Sequence, residues 1–64
     1  MIIRIKQLIS NTSNNYYVYY DNGQVRLYTY SRLPKTAKDF MTKHKAVQTI
    51  FGTKVNPHRI TIWE

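Results

Sequence analysis

The segment NNYYVYYDNGQVRLYTY, residues 14–30, is the feature that most constrains how this chain can fold. At its centre stands the pair Asn22-Gly23, which is typical of a two-residue type I′ turn because both residues tolerate the positive φ angles that this turn requires. The residues on either side are rich in tyrosine and valine, which favour strands. The sequence therefore predicts a β-hairpin centred on Asn22 and Gly23.

A two-residue turn fixes which residues oppose one another, and so which side chains share a face of the hairpin. In this register Tyr20 lies opposite Val25, and Tyr17 lies opposite Tyr28. Alternation along each strand then separates a core face from an outward face. The predicted core face carries Tyr16, Val18, Tyr20, Val25, Leu27 and Thr29. The predicted outward face carries Tyr17, Tyr19, Arg26, Tyr28 and Tyr30.

The amino-terminal segment IIRIKQLI is predicted to be a third strand of the same sheet. It alternates Ile3, Ile5 and Ile9 against Arg4 and Lys6, which is typical of a strand with one side facing solvent. Pairing with the first strand of the hairpin gives a three-stranded antiparallel meander. Arg4 and Lys6 then join the tyrosines of the outward face.

Downstream of the hairpin, apolar residues at helical spacing predict a helix packed on the core face. Pro34 suits its first turn, and Gly52 suits its end. The apolar stripe consists of Leu33, Ala37, Phe40, Met41, His44, Val47 and Phe51. The helix is predicted to run to Phe51 or, because AVQTIF also suits a short strand, to end near Lys45.

The last segment, RITIWE, alternates again and predicts a closing strand. If it returns from the helix to the open edge beside strand one, it runs parallel to that strand through a right-handed crossover. The result is an α+β fold of βββαβ order, in which Arg59 and Trp63 join the outward face. In the alternative, the helix ends early and a second hairpin, AVQTIFGTKV against RITIWE, completes a small barrel, which moves Arg59 and Trp63 away from that face.

Charge and composition restrict the partners of a chain of 64 residues, which reads as a single small basic domain. Ten lysines and arginines face three acidic residues, so the net charge is +7 and a polyanion is the first partner to consider. The chain has no cysteine, which excludes disulfides, thiolate metal sites and cysteine nucleophiles. Charged residues interrupt every apolar run near the amino terminus, so we expect a cytoplasmic protein without a membrane segment.

The outward face combines aromatic rings with cations, a combination that suits nucleic acid. Cations neutralise phosphates and release counterions, and flat rings stack on bases of single strands. On a duplex, a sheet can instead lie in the major groove, with Arg26 placed to read a guanine edge. We therefore predict a non-catalytic protein that binds nucleic acid, DNA in preference to RNA. The predicted binding residues are Arg4, Lys6, Tyr17, Tyr19, Arg26, Tyr28, Tyr30, Arg59 and Trp63.

One resemblance favours the same function. The hairpin YYVYYDNGQVRLYTYSRL, with its late YS pair, resembles the amino-terminal arm-site DNA-binding domains of tyrosine integrases from conjugative transposons. That resemblance implies a three-stranded sheet placed in the major groove of DNA, with a helix packed behind the sheet. The closing strand RITIWE is not part of the similarity.

A second hypothesis is an interaction protein encoded by a phage or mobile element. Tyrosine, tryptophan and arginine are also enriched at protein interfaces, so the same aromatic face would dock a host enzyme or a second copy of the chain. Cross-strand tyrosine pairs that merely stabilise the sheet are a further alternative.

Catalysis and cofactor binding have little support in the sequence. The acidic residues Asp21, Asp39 and Glu64 are spread over a turn, a helix surface and the carboxyl terminus, so no pair of titratable groups is positioned for acid-base work. His44 and His58 have no carboxylate at metal-ligand spacing. We therefore predict neither an enzyme nor a bound metal or cofactor.

Overall fold

The chain forms a five-stranded antiparallel sheet with a short helix on one side. The computed structural model describes residues 1–10, 12–55 and 57–64. Its elements are β1 (Ile2–Ile9), β2 (Asn14–Tyr20), β3 (Val25–Thr29), a 3₁₀ turn (Tyr30–Arg32), α1 (Lys35–Lys43), β4 (Ala46–Ile50) and β5 (Arg59–Trp63). The strand order across the sheet is β3-β2-β1-β5-β4.

The hairpin of β2 and β3 is present, but its turn has three residues instead of two. Gly23 has a φ of 88°, whereas no other residue type in the described chain has a positive φ, so Asn22 does not adopt the conformation of a type I′ turn. The amide of Gly23 donates to the carbonyl of Tyr20 at 3.1 Å, and the amide of Tyr20 donates to the carbonyl of Gln24 at 2.9 Å. Tyr20 therefore lies opposite Gln24, with a glycine bulge between turn and strand.

The longer turn shifts the register of the hairpin by one residue, so the predicted register is wrong. Tyr16 pairs with Tyr28, and Tyr17 pairs with Leu27. Because side chains alternate with a period of two, a slip of one residue moves every side chain of β3 to the opposite face of the sheet. Arg26 and Tyr28 consequently lie on the same side as the core, and Leu27 does not.

The core lies between the sheet and α1. Ala37, on the inner face of α1, is fully buried and has a side chain small enough for the helix to approach the strands closely. The buried apolar residues are Ile5, Tyr16, Val18, Leu33 and Ala37. Partly buried residues surround them: Ile2, Tyr20, Tyr28, Phe40, Met41 and Trp63. The face that α1 covers is called the helix side below, and the other face is called the open side.

The helix ends much earlier than Phe51. It stops at Lys43, and His44 already has extended backbone angles, with φ −108° and ψ 140°. The following segment, Ala46–Ile50, is rich in β-branched residues and forms β4 against β5. The prediction of a helix to Phe51 is therefore wrong, and the alternative end near Lys45 is close to the observed one. Gly52 lies in the connection between β4 and β5 and does not end a helix.

The predicted βββαβ fold is wrong because β4 adds a fifth strand and reverses the chain before β5. As a result β5 runs antiparallel to β1, and the crossover through α1 leads from β3 to β4 at the opposite edge of the sheet. The second hairpin proposed as the alternative is present, yet β3 and β4 are the two edges of the sheet, so no barrel closes. Trp63 pairs with Ile5, whose side chain is buried beneath α1, so Trp63 and Arg59 lie on the helix side.

The turn geometry predicts that alanine and asparagine at position 23 lower the free energy of unfolding by different amounts. Gly23→Ala is expected to lower the free energy of unfolding by about 1–2 kcal/mol, because a β-carbon is disfavoured in the left-handed region. No atom lies within 4 Å of that β-carbon, so the backbone alone accounts for the cost. Gly23→Asn should cost less, since asparagine tolerates this region. Urea unfolding of both variants measures the difference, and an alanine variant as stable as the wild type would contradict the turn.

At Gly52, the backbone of Pro57 leaves no room for a larger residue. A β-carbon at Gly52 would lie 2.5 Å from the carbonyl oxygen of Pro57. Gly52→Ala should therefore distort the connection between β4 and β5 and speed amide exchange in β4. The matched control is Val55→Ala, because Val55 is 95% exposed in the same connection. Equal exchange rates in β4 for the two variants would refute the close approach.

Candidate nucleic-acid interface

The open side is built from three rows of side chains that run across the strands. The central row consists of Leu27, Tyr17, Lys6, Ile62 and Gln48. One flanking row consists of Val25, Tyr19, Arg4 and Glu64. The other consists of Thr29, Asn15, Leu8, Ile60 and Ile50. Of these fourteen residues six are aliphatic and two are tyrosines, while Arg4 and Lys6 are the two cations.

Four of the nine predicted binding residues lie on the open side: Arg4, Lys6, Tyr17 and Tyr19. The ammonium nitrogen of Lys6 lies 6.0 Å from the centre of the Tyr17 ring, within the range of a cation–π contact. A guanidinium nitrogen of Arg4 lies 2.9 Å from a carboxylate oxygen of Glu64. Lys6 is thus the cation of this side that has no acidic partner in the described chain.

The other five predicted binding residues lie on the helix side or in the 3₁₀ turn: Arg26, Tyr28, Tyr30, Arg59 and Trp63. Tyr28 and Trp63 pack against the core and are only partly exposed. The guanidinium carbon of Arg59 lies 4.9 Å from the centre of the Phe51 ring. The expectation that all nine residues share one face is therefore wrong. The physical reason is the one-residue shift in β3 together with the register of β5, in which Trp63 pairs with the buried Ile5.

Positive charge is distributed unevenly between the two sides. Of ten lysines and arginines, only Arg4 and Lys6 lie on the open side. The other eight lie on the helix side, in the two short helical segments or in connections: Arg26, Arg32, Lys35, Lys38, Lys43, Lys45, Lys54 and Arg59. The open side, with Glu64 included, carries a formal charge near +1, so most of the net charge of +7 lies elsewhere.

In the described part of the chain, the acidic residues form no ion pair with the lysines of α1. Asp21 accepts a hydrogen bond from the amino-terminal ammonium at 2.9 Å, and this contact lowers the pKa of its carboxyl group. Glu64 is paired with Arg4. Asp39 is exposed on α1 and forms no ion pair with any residue in the described ranges. A phosphate near α1 would therefore meet cations without competing salt bridges.

Aromatic and basic residues lie close together around the 3₁₀ turn, which connects β3 to α1. The ammonium nitrogen of Lys38 lies 5.6 Å from the centre of the Tyr30 ring. The centre of the Tyr30 ring also lies 6.1 Å from that of Tyr16, which is buried. Tyr30 itself is 60% exposed. Below, the β3–α1 patch denotes Arg26, Tyr28, Tyr30 and Lys38.

The tyrosines beneath this patch are held in their neutral form. Burial raises the pKa of Tyr16, whose hydroxyl accepts a hydrogen bond from the Gln7 amide at 2.9 Å. Burial also raises the pKa of Tyr20, and a hydrogen bond with Tyr28 adds to that increase, while the charge of Arg26 opposes it. The mutual influence of these groups indicates that Tyr20, Tyr28 and Arg26 are neighbours on the helix side.

Other chemistry is sparse in the part of the chain that the structure describes. No three histidine, cysteine, aspartate or glutamate side chains are grouped there as metal ligands. His44 stacks on Phe40, with ring centres 3.9 Å apart and planes at 14°. None of the described helices is long and apolar enough to cross a membrane.

Comparison with protein-family models, curated proteins and solved structures finds no match for this chain. What the chain binds must therefore be inferred from its own surface chemistry.

Sequence reasoning missed the aliphatic residues of the open side. They are Leu8, Val25, Leu27, Ile50, Ile60 and Ile62. The sequence did contain one indication that Val25 and Leu27 of β3 lie on the open side. The triplet Asp21-Asn22-Gly23 also suits a three-residue hairpin loop with glycine in the left-handed region, and counting from that loop puts Leu27 opposite Tyr17.

The raised pKa of Tyr16 predicts an alkaline weakness of the fold. Its stabilising effect is complete below the unfolded pKa of 10.0 and is lost as pH rises through the higher folded pKa, because the buried hydroxyl must then ionise. Tyr16→Phe should cost about 1 kcal/mol at neutral pH through the lost hydrogen bond, yet lose less further stability than the wild type above pH ~10. Urea unfolding at several pH values measures both effects. Parallel losses in the two proteins would show that Tyr16 ionisation is not responsible.

Proposed function

We propose that this chain binds nucleic acid through the β3–α1 patch and the neighbouring lysines of α1, without catalysing a reaction. The observation that carries this proposal is the charge distribution, in which eight of ten cations lie off the open side. A polyanion gains most where cations are dense and unpaired, since each neutralised phosphate releases condensed counterions. DNA remains the preferred ligand over RNA.

Tyr30 supports nucleic acid over other polyanions. Its ring is exposed, and it contacts both the buried Tyr16 ring and the Lys38 ammonium. A ring fixed in this way can stack on a base of a single strand, which contributes about 1–3 kcal/mol per base in proteins that use such contacts. On a duplex, its hydroxyl can donate to a phosphate oxygen while Lys38 supplies charge.

The mode of binding differs from a sheet lying in the major groove. That mode places basic residues of the open side against base edges, but Arg26 lies on the other side of the sheet, at the edge strand β3. Arg26 and Lys38 instead contribute phosphate contacts, which position a protein on nucleic acid without reading its sequence. We therefore expect weak sequence preference.

Charge removal on the two sides gives a matched test of the interface. Lys38→Gln should weaken binding to a labelled duplex and reduce the slope of log affinity against log salt by about 0.9, the value for one lost phosphate contact. Lys6→Gln removes the same charge from the open side and should leave that slope unchanged. Fluorescence anisotropy between about 50 and 200 mM salt, the range over which phosphate contacts weaken markedly, measures both slopes.

Two outcomes would contradict the proposal. Equal loss of slope in Lys38→Gln and Lys6→Gln would show that net charge alone governs binding, without a defined surface. Tyr30→Leu should weaken binding to single-stranded DNA but not to heparin, which is a polyanion without bases. An equal effect on both ligands would remove the case for nucleic acid.

A further inference from the structure

The open side carries six aliphatic side chains and two tyrosines, although no layer of the described chain covers it. In β5, Ile60 and Ile62 lie on the open side, whereas Thr61 lies on the helix side and is buried. On β3, Val25 is 51% exposed and Leu27 is 58% exposed, both on the open side. A sheet with one solvated face normally alternates apolar residues inward and polar residues outward. Here the middle of β5, from Ile60 to Ile62, has the reverse arrangement, while Trp63 packs against the core.

The exposed surface of the chain is correspondingly large. Its accessible area is 4820 Å². A folded monomer of 7.7 kDa is expected to expose about 4300 Å². Part of the excess of about 500 Å² comes from the exposed Val25, Leu27 and Ile50 of the open side, and part from Met1, Phe51 and Val55 outside it.

We propose that the open side is covered by a second copy of this chain, so that two sheets pack face to face about a two-fold axis. Sheets packed in this way lie about 10 Å apart and interdigitate their inner side chains. The same rows of the two copies then form one shared apolar layer, as an isologous interface requires.

Charge favours a second copy over a polyanion at this surface. Each copy carries a net charge of +7, so two copies repel one another unless they meet where charge is low. The open side is such a place, because Arg4 is paired with Glu64 and only Lys6 lacks an acidic partner. Packing of the open sides also leaves the β3–α1 patch of each copy facing outward, on opposite sides of the dimer.

Lys6 is the residue that opposes dimerisation most. It occupies the central row, so its ammonium loses water when the surface is covered. Its contact with the Tyr17 ring offsets part of that loss, because a cation–π interaction strengthens as the pair is desolvated. Lys6→Met should accordingly tighten the dimer, since it retains the aliphatic stem and removes the charge.

The size of the open side sets the strength of the association. Five strands spaced ~4.8 Å apart, with about five residues each at ~3.3 Å, give roughly 400 Å² of flat sheet per copy. The two copies together therefore bury about 800 Å² of flat sheet, and more once the relief of the side chains is counted. This total area is at the small end of specific interfaces. We therefore expect a dimer that dissociates on dilution.

An alternative site for a second copy is the free edge of β4. All five residues of Ala46–Ile50 are exposed and uncharged, and an edge strand can pair with its counterpart in another copy. Edge pairing would leave the open side uncovered, so a substitution on the open side would not weaken a dimer formed in this way.

Sedimentation equilibrium of the wild-type chain, without nucleic acid, tests the proposal first. Between about 1 µM and 1 mM, the range over which weak interfaces of this size assemble, the average mass should rise from 7.7 kDa toward twice that value. Leu27→Lys should raise the dissociation constant at least ~10-fold, because it buries a charge in the interface. The control Val55→Lys makes the same change at a 95% exposed residue outside the sheet and should have no effect.

Cross-linking identifies the surface directly, since the chain has no cysteine of its own. In a face-to-face dimer, two copies of Lys6→Cys should be joined by a bismaleimide spanning about 10 Å, the spacing of packed sheets. Lys43→Cys, on the exposed outer face of α1, should not be joined. A chain that stays monomeric up to ~1 mM would overturn the proposal. A dimer that is indifferent to Leu27→Lys and not cross-linked at Lys6→Cys would also overturn it, in favour of the β4 edge.

Discussion

The left-handed conformation of Gly23 is the constraint on which the rest of the structure depends. It closes a three-residue turn and sets Tyr20 opposite Gln24. Every side chain of β3 then has a fixed side of the sheet, because the period of a strand is two residues. Arg26 consequently joins the buried tyrosines near α1, and Leu27 joins the open side. A single backbone angle thereby separates the basic surface of the molecule from its aliphatic one.

This separation gives the two sides of one small sheet different chemistry. The helix side contains the few buried apolar residues, and most of the cations lie around it or in the connections. The open side contains aliphatic residues and little net charge. A polyanion and a second copy of the chain place opposite demands on a surface, since one requires dense unpaired cations and the other requires their absence. The two proposed interactions are therefore compatible in one molecule.

The local features of the fold could be predicted from the sequence, and the features that depend on distant pairing could not. The hairpin and the helical segment after Pro34 follow from nearby residues. The end of the helix does not, because the apolar residues from Phe40 to Phe51 suit both a helix and a strand, and pairing of Ala46–Ile50 with β5 decides between them. The predicted binding residues include Arg26, Tyr28 and Tyr30 of the β3–α1 patch but not Lys38, and the sequence did not reveal which of the nine share a side of the sheet. A two-residue and a three-residue turn both fit the same triplet, and they place Arg26 on opposite sides.

Proton–proton distances across the hairpin test the register most directly. In an antiparallel pair, the α-protons approach closely only at non-hydrogen-bonded positions. The turn described here makes Tyr20 and Gln24 a hydrogen-bonded pair, so the close pairs should be Tyr19 with Val25 and Tyr17 with Leu27. Nuclear Overhauser effects between those α-protons are the predicted result. Nuclear Overhauser effects that instead join the α-protons of Tyr20 with Val25, and of Val18 with Leu27, would show a two-residue turn. That result would contradict the division of the sheet into a basic and an aliphatic side.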